Sequence, residues 1–341
     1  MPAAAAAAVQ SRRDPVIRAA RRFKLDAAVG STWFAQDTAI FVSEDCFVMR
    51  VPAGGAESLI VLHEDIILAA ASDGRQVATA GADGRIVALD AAGQADEIAT
   101  LQKSQWVTSL AIGAHGTAWA IGRNVFMRPF REGEKSHESR STVSALAFSP
   151  DGLTLALSTR EGLIIWQPLT GEQRSLPAGF GVAVVLNFSP DGRFIVESFY
   201  EPGASIRDVN DGGMILFNGP TARVGSMSFA PRAELLLTSG ARQLMIWPIA
   251  MQQGRLSSLP RLFAPYSALV TAVAHHPSEP IAAVGYQDGM VLLVRLQDGA
   301  EIVLKPGAAA AVSAITWNQR GTGLAIGGTD GDARLFAIDF Q

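Results

Sequence analysis

The feature that most constrains this chain is a period. The pentapeptide Phe-Ser-Pro-Asp-Gly stands at 148–152 and again at 188–192. A looser tetrapeptide, at its clearest ending in Asp-Gly, closes at Gly84, Gly289 and Gly331, with variants closing at Cys46, Asn124, Gly162, Gly203 and Gln243. In chain order these eight positions are 38, 40, 38, 41, 40, 46 and 42 residues apart. A period near 40 denotes an array of like units, none of which buries a core alone. The 341 residues are then a row of small units rather than one oversized core.

Each unit repeats one order of signals. An apolar stretch comes first, as in VTSLAIG at 107–113, VSALAFS at 143–149, VTAVAHH at 270–276 and VSAITWN at 312–318. A tight turn follows, whose best form is Pro-Asp-Gly. Proline presets φ, aspartate bonds its own backbone and glycine accepts positive φ. A second short strand leads into the Asp-Gly hairpin turn, a strong local signal for antiparallel pairing. A third strand follows, such as RIVAL at 85–89, LIIW at 163–166 or QLMIW at 243–247, and then a less regular fourth, such as ADEIATL at 95–101. No segment reads as a helix. Four strands in each such unit make a blade of a β-propeller, and the repeated pentapeptide is the hinge between its first and second strands.

Counting hairpin turns gives eight blades. The first unit, at 31–51, is the weakest, so seven blades is the alternative if it is only an extension. The last unit supplies three strands, which would leave an open edge. The segment VIRAARRFKLDA at 16–27 can supply the fourth, closing the ring with both ends of one domain spanning 16–341. Residues 1–15 read as a disordered leader. Arg12 and Arg13 invite comparison with an export signal. The order is wrong for one, because Asp14, Arg18, Arg21, Arg22 and Lys24 follow where an apolar stretch is needed.

The pattern resembles divergent, bacterial-type members of the WD-repeat (WD40) family over nearly the whole chain after residue 16. The two Phe-Ser-Pro-Asp-Gly turns, the glycine-closed hairpins and Trp166 and Trp247 in third strands carry the resemblance. No Trp-Asp pair occurs, and the Gly-His pair that opens a repeat is missing, although His63 sits near that histidine's place. The family's buried His-Ser-Trp-Asp network is therefore not expected.

Composition narrows the function. The chain is 48% hydrophobic and 18% charged, as strands buried on both faces require. Its longest apolar runs fall well short of the roughly 20 residues of a membrane helix. With 28 basic and 32 acidic residues it carries no footprint for nucleic acid. Cys46 is the only cysteine, which rules out an intrachain disulfide and a cysteine zinc cluster and fits the reducing cytoplasm. The adjacent His275 and His276 fall at the places of Phe148 and Ser149, where strand neighbours point to opposite faces, so joint chelation is not expected. Asp83, Asp151, Asp191, Asp288 and Asp330 are explained as turn residues. No nucleophile elbow, phosphate loop or zinc-protease motif occurs.

The expected function is therefore a cytoplasmic, monomeric scaffold that binds other proteins, without catalysis, cofactor, metal, nucleic acid or membrane. The alternative is a quinone-dependent propeller enzyme, which would need an export signal and a docking tryptophan in each blade. By the family pattern, the loops leading into first strands and the hairpins between second and third strands share one face. The partner-binding candidates there are Trp106, Arg123, Arg140, Arg160, Phe180, Tyr200, Arg223, Arg242 and Tyr266. Arg223 is expected in the place equivalent to Trp106, four units on. The longest spacing falls in residues 250–269, read as an exposed loop open to proteolysis near Arg255 or Arg261.

Overall fold

A computed structural model describes residues 14–102, 105–131, 133–249 and 259–340. It contains eight four-stranded antiparallel sheets arranged as the blades of a closed ring, and no helix among the described residues. The first blade comprises Val29–Ala35, Thr38–Ser43, Phe47–Val51 and Ser58–Val61, so the weak first unit is a full blade. The second runs from Ile67–Ser72 to Ala95–Thr100, the third from Ser109–Gly113 to Lys135–Glu138, and the fourth from Ala145–Phe148 to Gln173–Pro177. The fifth runs from Ala183–Phe188 to Met214–Phe217, the sixth from Met227–Phe229 to Arg261–Phe263, and the seventh from Val270–His275 to Glu301–Lys305. Among the described residues no helix is long and apolar enough to cross a membrane.

The eighth blade is made by both ends of the chain. Val312–Trp317, Gly323–Gly328 and Asp332–Phe340 pair in order, and Pro15–Lys24 adds the outer strand against Asp332–Phe340. The closing strand thus begins one residue before the expected segment and ends three residues earlier than Ala27. Of the expected leader, residues 1–13 lie outside the described residues. Asp14 pairs with Arg295 of the seventh blade at 2.6 Å. Charge reinforces the closure: Arg22 and Arg334 converge on buried Asp332 at 2.7 and 2.9 Å, and Arg18 reaches Asp339 at 2.9 Å.

The core is divided among the seams. Eight apolar clusters occupy the spaces between neighbouring blades, one to each seam. This is why the second and third strands are apolar on both faces: Thr38–Ser43, Leu155–Thr159 and Ile281–Tyr286 are buried at every position. Each side chain of Val or Leu size so buried contributes roughly 1.5–3 kcal/mol. Hydroxyls also tie first strands across seams. Thr108, Ser144, Thr271 and Ser313 donate to the carbonyls of Val143, Ala183, Val312 and Val29 in the next blade.

The repeated pentapeptide is scaffold. Ser149 donates to Asp151 at 2.5 Å and accepts the amide of Thr154, and Asp151 accepts that of Leu153. Ser189, Asp191, Phe194 and Arg193 repeat these bonds. Gly152 and Gly192 turn at φ of 71° and 72°, a conformation that strains any other residue. His276 takes the serine's place in the seventh blade. Its Nδ1 accepts the amides of Ser278 and Glu279, its Nε2 donates to Gly321, and its ring lies edge-on to Trp317 and Phe340.

One segment differs from its expectation. Arg261 lies in the sixth blade's outer strand, paired with Ile246, and its guanidinium donates to the Leu296 carbonyl. It is therefore not in a free loop. Arg255 and the rest of 250–258 lie outside the described residues.

Candidate functional site

Backbone hydrogen bonds define one loop face of the ring. The linker that leaves a blade bonds to the hairpin between that blade's second and third strands. Leu101 donates to Gly84, Ser139 to Arg123, Tyr266 to Arg242, Ala308 to Asp288 and Leu25 to Gly331, at 2.7–3.0 Å. The nine candidate residues fall on these two kinds of loop. Arg123, Arg160, Tyr200 and Arg242 sit in hairpins, and Trp106, Arg140, Phe180, Arg223 and Tyr266 in linkers. Arg223 leads into the sixth blade, three units on from Trp106 and not four.

The candidates differ in what they touch. Trp106, Phe180 and Tyr200 are 65%, 57% and 72% exposed. The Arg223 guanidinium lies 5.7 Å from the centre of the Tyr200 ring, joining the fifth and sixth blades in one exposed pair. Arg140, Arg160 and Arg242 are exposed. Arg123 pairs with Glu138 at 2.7 Å, on a surface where water screens the pair. Tyr266 is half-buried; its hydroxyl donates to Asp288 and its ring meets Tyr286 edge-on, so both are committed within the fold.

Under this face lies a buried cluster that the sequence reading did not expect. His63, 1% exposed, donates from Nδ1 to Asp83 at 3.1 Å and accepts the Thr79 hydroxyl at Nε2, at 2.9 Å. Asp83 also accepts the amides of Glu64 and Arg85. Burial, opposed by Asp83, holds the His63 ring below its ordinary pKa, which keeps it neutral. Burial pushes the Asp83 carboxyl up, yet the two amides and the His63 ring bring it below the usual range. The buried His-Ser-Trp-Asp arrangement, not expected from the sequence, is thus present in fragments. The second blade keeps histidine, aspartate and hydroxyl with Leu89 where tryptophan would stand. The sixth keeps the other end, Trp247 donating to Thr238 at 2.9 Å.

Two hollows also escaped the sequence reading. First strands line a central cavity of about 470 Å³, with Trp33, Ala71, Ser109 and Asn187 among its walls. On the opposite end of the strands, Asp73, Arg75, His115, Phe130, Arg131 and Leu169 line an open cleft of about 750 Å³. Its signal in the sequence was only that two successive units carry charged or aromatic residues in their other turns. Among the described residues, no group of three or more histidine, cysteine, aspartate or glutamate side chains could hold a metal ion.

No family model matches the chain, and no curated protein does. Among solved structures, the chain is similar to a computationally designed protein, Ika8, with a TM-score of 0.74 at 17% identity, over 92% of this chain and 97% of that one. At that identity the likeness speaks for architecture alone: the chain is an eight-bladed β-propeller closed by its own two ends.

Proposed function

We propose that this chain is a cytoplasmic, monomeric propeller of the WD-repeat kind that binds other proteins and performs no chemistry of its own. The observation that carries the reading is the exposure of Trp106, Phe180 and Tyr200 on the loop face. A large ring left in water gains nothing for the fold; covered by a partner, it contributes both area and a polar edge. Loops pinned by backbone bonds to their hairpins lose little further freedom on binding, which favours recognition by a preformed surface. The Asp83-Gly84 turn and the His63 and Trp247 hydrogen bonds support the WD-repeat kind.

The test is affinity purification of the full chain with mass spectrometry, repeated on Trp106→Ala and Arg223→Ala. Each substitution is expected to weaken a recovered partner by roughly 1–4 kcal/mol while leaving the melting temperature in place. Lost stability with intact partner binding would assign both residues to the packing of blades and remove the basis of the proposal.

A further inference from the structure

Charge on the loop face is segregated around the ring. Asp26, Glu44, Glu64 and Asp65 are exposed in the loops of the first blade and of its junctions with the eighth and second. Arg140, Arg160, Arg223 and Arg242 are exposed in the loops of the third to sixth blades. Arg223 faces the Tyr200 ring, and none of the other three has a hydrogen bond or ion pair to another described residue through its side chain. The carboxylates in this arc are few. Glu138 is taken by Arg123, and Glu161 accepts the hydroxyl of Ser141. Glu201, beside Tyr200, remains exposed.

The most exposed aromatics share the basic arc. Trp106 stands at its start, and Phe180 and Tyr200 lie between the arginines in chain order, with Val182 39% exposed beside them. On the acidic arc the exposed apolar side chains are aliphatic, among them Val61, Ile66 and Leu68. Apolar rings set among exposed guanidiniums suit a ligand that carries carboxylates and apolar side chains together. A strongly basic ligand would be repelled from this arc and drawn to the other.

We propose that the third to sixth blades bind an acidic segment of a partner protein, with apolar side chains of that segment on Phe180 and Tyr200 and its carboxylates on Arg140, Arg160, Arg223 and Arg242. This rests on the protein-binding reading above and adds the chemistry of the partner. Electrostatic attraction of this kind speeds association and weakens with salt.

The probe is a short fluorescein-labelled peptide alternating glutamate and aspartate with leucine and phenylalanine, titrated with the full chain and followed by anisotropy. Binding is expected, and it should weaken as salt rises from about 50 to about 500 mM. The pair Arg140→Glu and Arg223→Glu should weaken it by about tenfold or more. Glu64→Lys with Asp65→Lys should leave it unchanged or tighter. All four positions are exposed, and a melting curve for each variant confirms folding. The proposal is overturned if the peptide does not bind, or if it binds the arginine variant equally well. It is also overturned if single-stranded oligothymidylate binds more tightly through the same arginines, since the ligand would then be a phosphate chain. A protein partner that needs Trp106 or Tyr200 but ignores both salt and the arginine changes would overturn the acidic chemistry and leave the protein-binding reading standing. Recovery of no partner by the unsubstituted chain would overturn the latter instead.

Discussion

The second and third blades are neighbours built on one pattern, yet the linkers leading into them are held in different ways. Into the second blade, His63 is locked between Asp83 and Thr79, and the Glu64 amide is fixed by the same carboxylate. In the third blade, the place of Thr79 is taken by Trp119, stacked on Phe126 with ring centres 5.8 Å apart. Among the described residues its indole N–H finds no partner, and neither do the hydroxyls of Thr117 in the same strand and Ser139 in the linker after the blade. The hairpin of the third blade presents Gly122 and Arg123 where the second presents Asp83, so no hairpin carboxylate clamps the linker, and Trp106 stands in water. One position in the repeat can therefore serve to fix a linker or to fill a seam. Where it fills the seam, the linker is free to carry a contact residue.

The largest effect is expected from breaking the clamp. His63→Ala leaves the Asp83 carboxylate buried without its ring partner and opens a hole, and should destabilise the protein by about 3 kcal/mol in denaturant unfolding. Trp106→Ala in the next linker should change stability by less than about 0.5 kcal/mol. Equal losses would erase the distinction between the two linkers.

Acid should weaken the clamp selectively. His63 is held below its ordinary value of 6.5, so above that pH the ring is neutral folded or unfolded and the stability is intact. As pH falls below 6.5 the unfolded chain takes a proton that the folded ring resists, and stability is lost until the lowered folded value is passed. His276, pushed down by burial to about 4, follows the same sign between 6.5 and about 4. Hydrogen exchange should show the Glu64 amide losing protection over this range, after correction for intrinsic rates, while amides around Trp106 do not change. A Glu64 amide indifferent to acid would mean that the ring is not what holds the carboxylate.

Smaller effects sharpen the same contrast. Thr79→Val keeps the shape and removes the hydroxyl that His63 accepts, at an expected cost of about 1 kcal/mol. Trp119→Phe removes the unpartnered N–H at some loss of packing, and the two should nearly cancel, leaving the melting temperature within a few degrees. A loss above about 2 kcal/mol would reveal a bound water satisfying the indole.

Much of this architecture could be read from the sequence because each hairpin turn announces itself locally. Gly84, Gly162, Gly203, Gly289 and Gly331 all adopt positive φ at the expected hairpins, and the eighth unit's missing strand pointed to residues 16–27. The His63 cluster was illegible for a different reason. Its members lie 16 and 20 residues from the histidine, and with no tryptophan in that blade's third strand no contiguous word marks them. Arg261 was misplaced because the long stretch before it hid the start of a strand only three residues long. The four arginines of the basic arc were legible as candidates for one face, but their opposition to Asp26, Glu44, Glu64 and Asp65 was not. Arg140 and Arg223 stand in the linkers that enter the fourth and the sixth blade, and only the closed ring gathers their loops on one side and sets the acidic loops apart from them.

Closure by the two ends also sets a timetable. During synthesis the strand Pro15–Lys24 leaves the ribosome early, while its partner Asp332–Phe340 is made about 300 residues later, a wait of roughly 15–60 s at about 5–20 residues per second. Throughout that interval the strand has no native neighbour and must avoid every other edge, including those of unfinished copies on the same message. Its own residues suit the wait: Arg18, Arg21, Arg22 and Lys24 place four positive charges along it, and like charges on an unpaired edge discourage self-pairing. Three of these cations, Lys24, Arg22 and Arg18, later find Asp330, Asp332 and Asp339 in the arriving strand and the turn before it. The groups that keep the nascent strand apart from its own kind are those that recognise its proper mate.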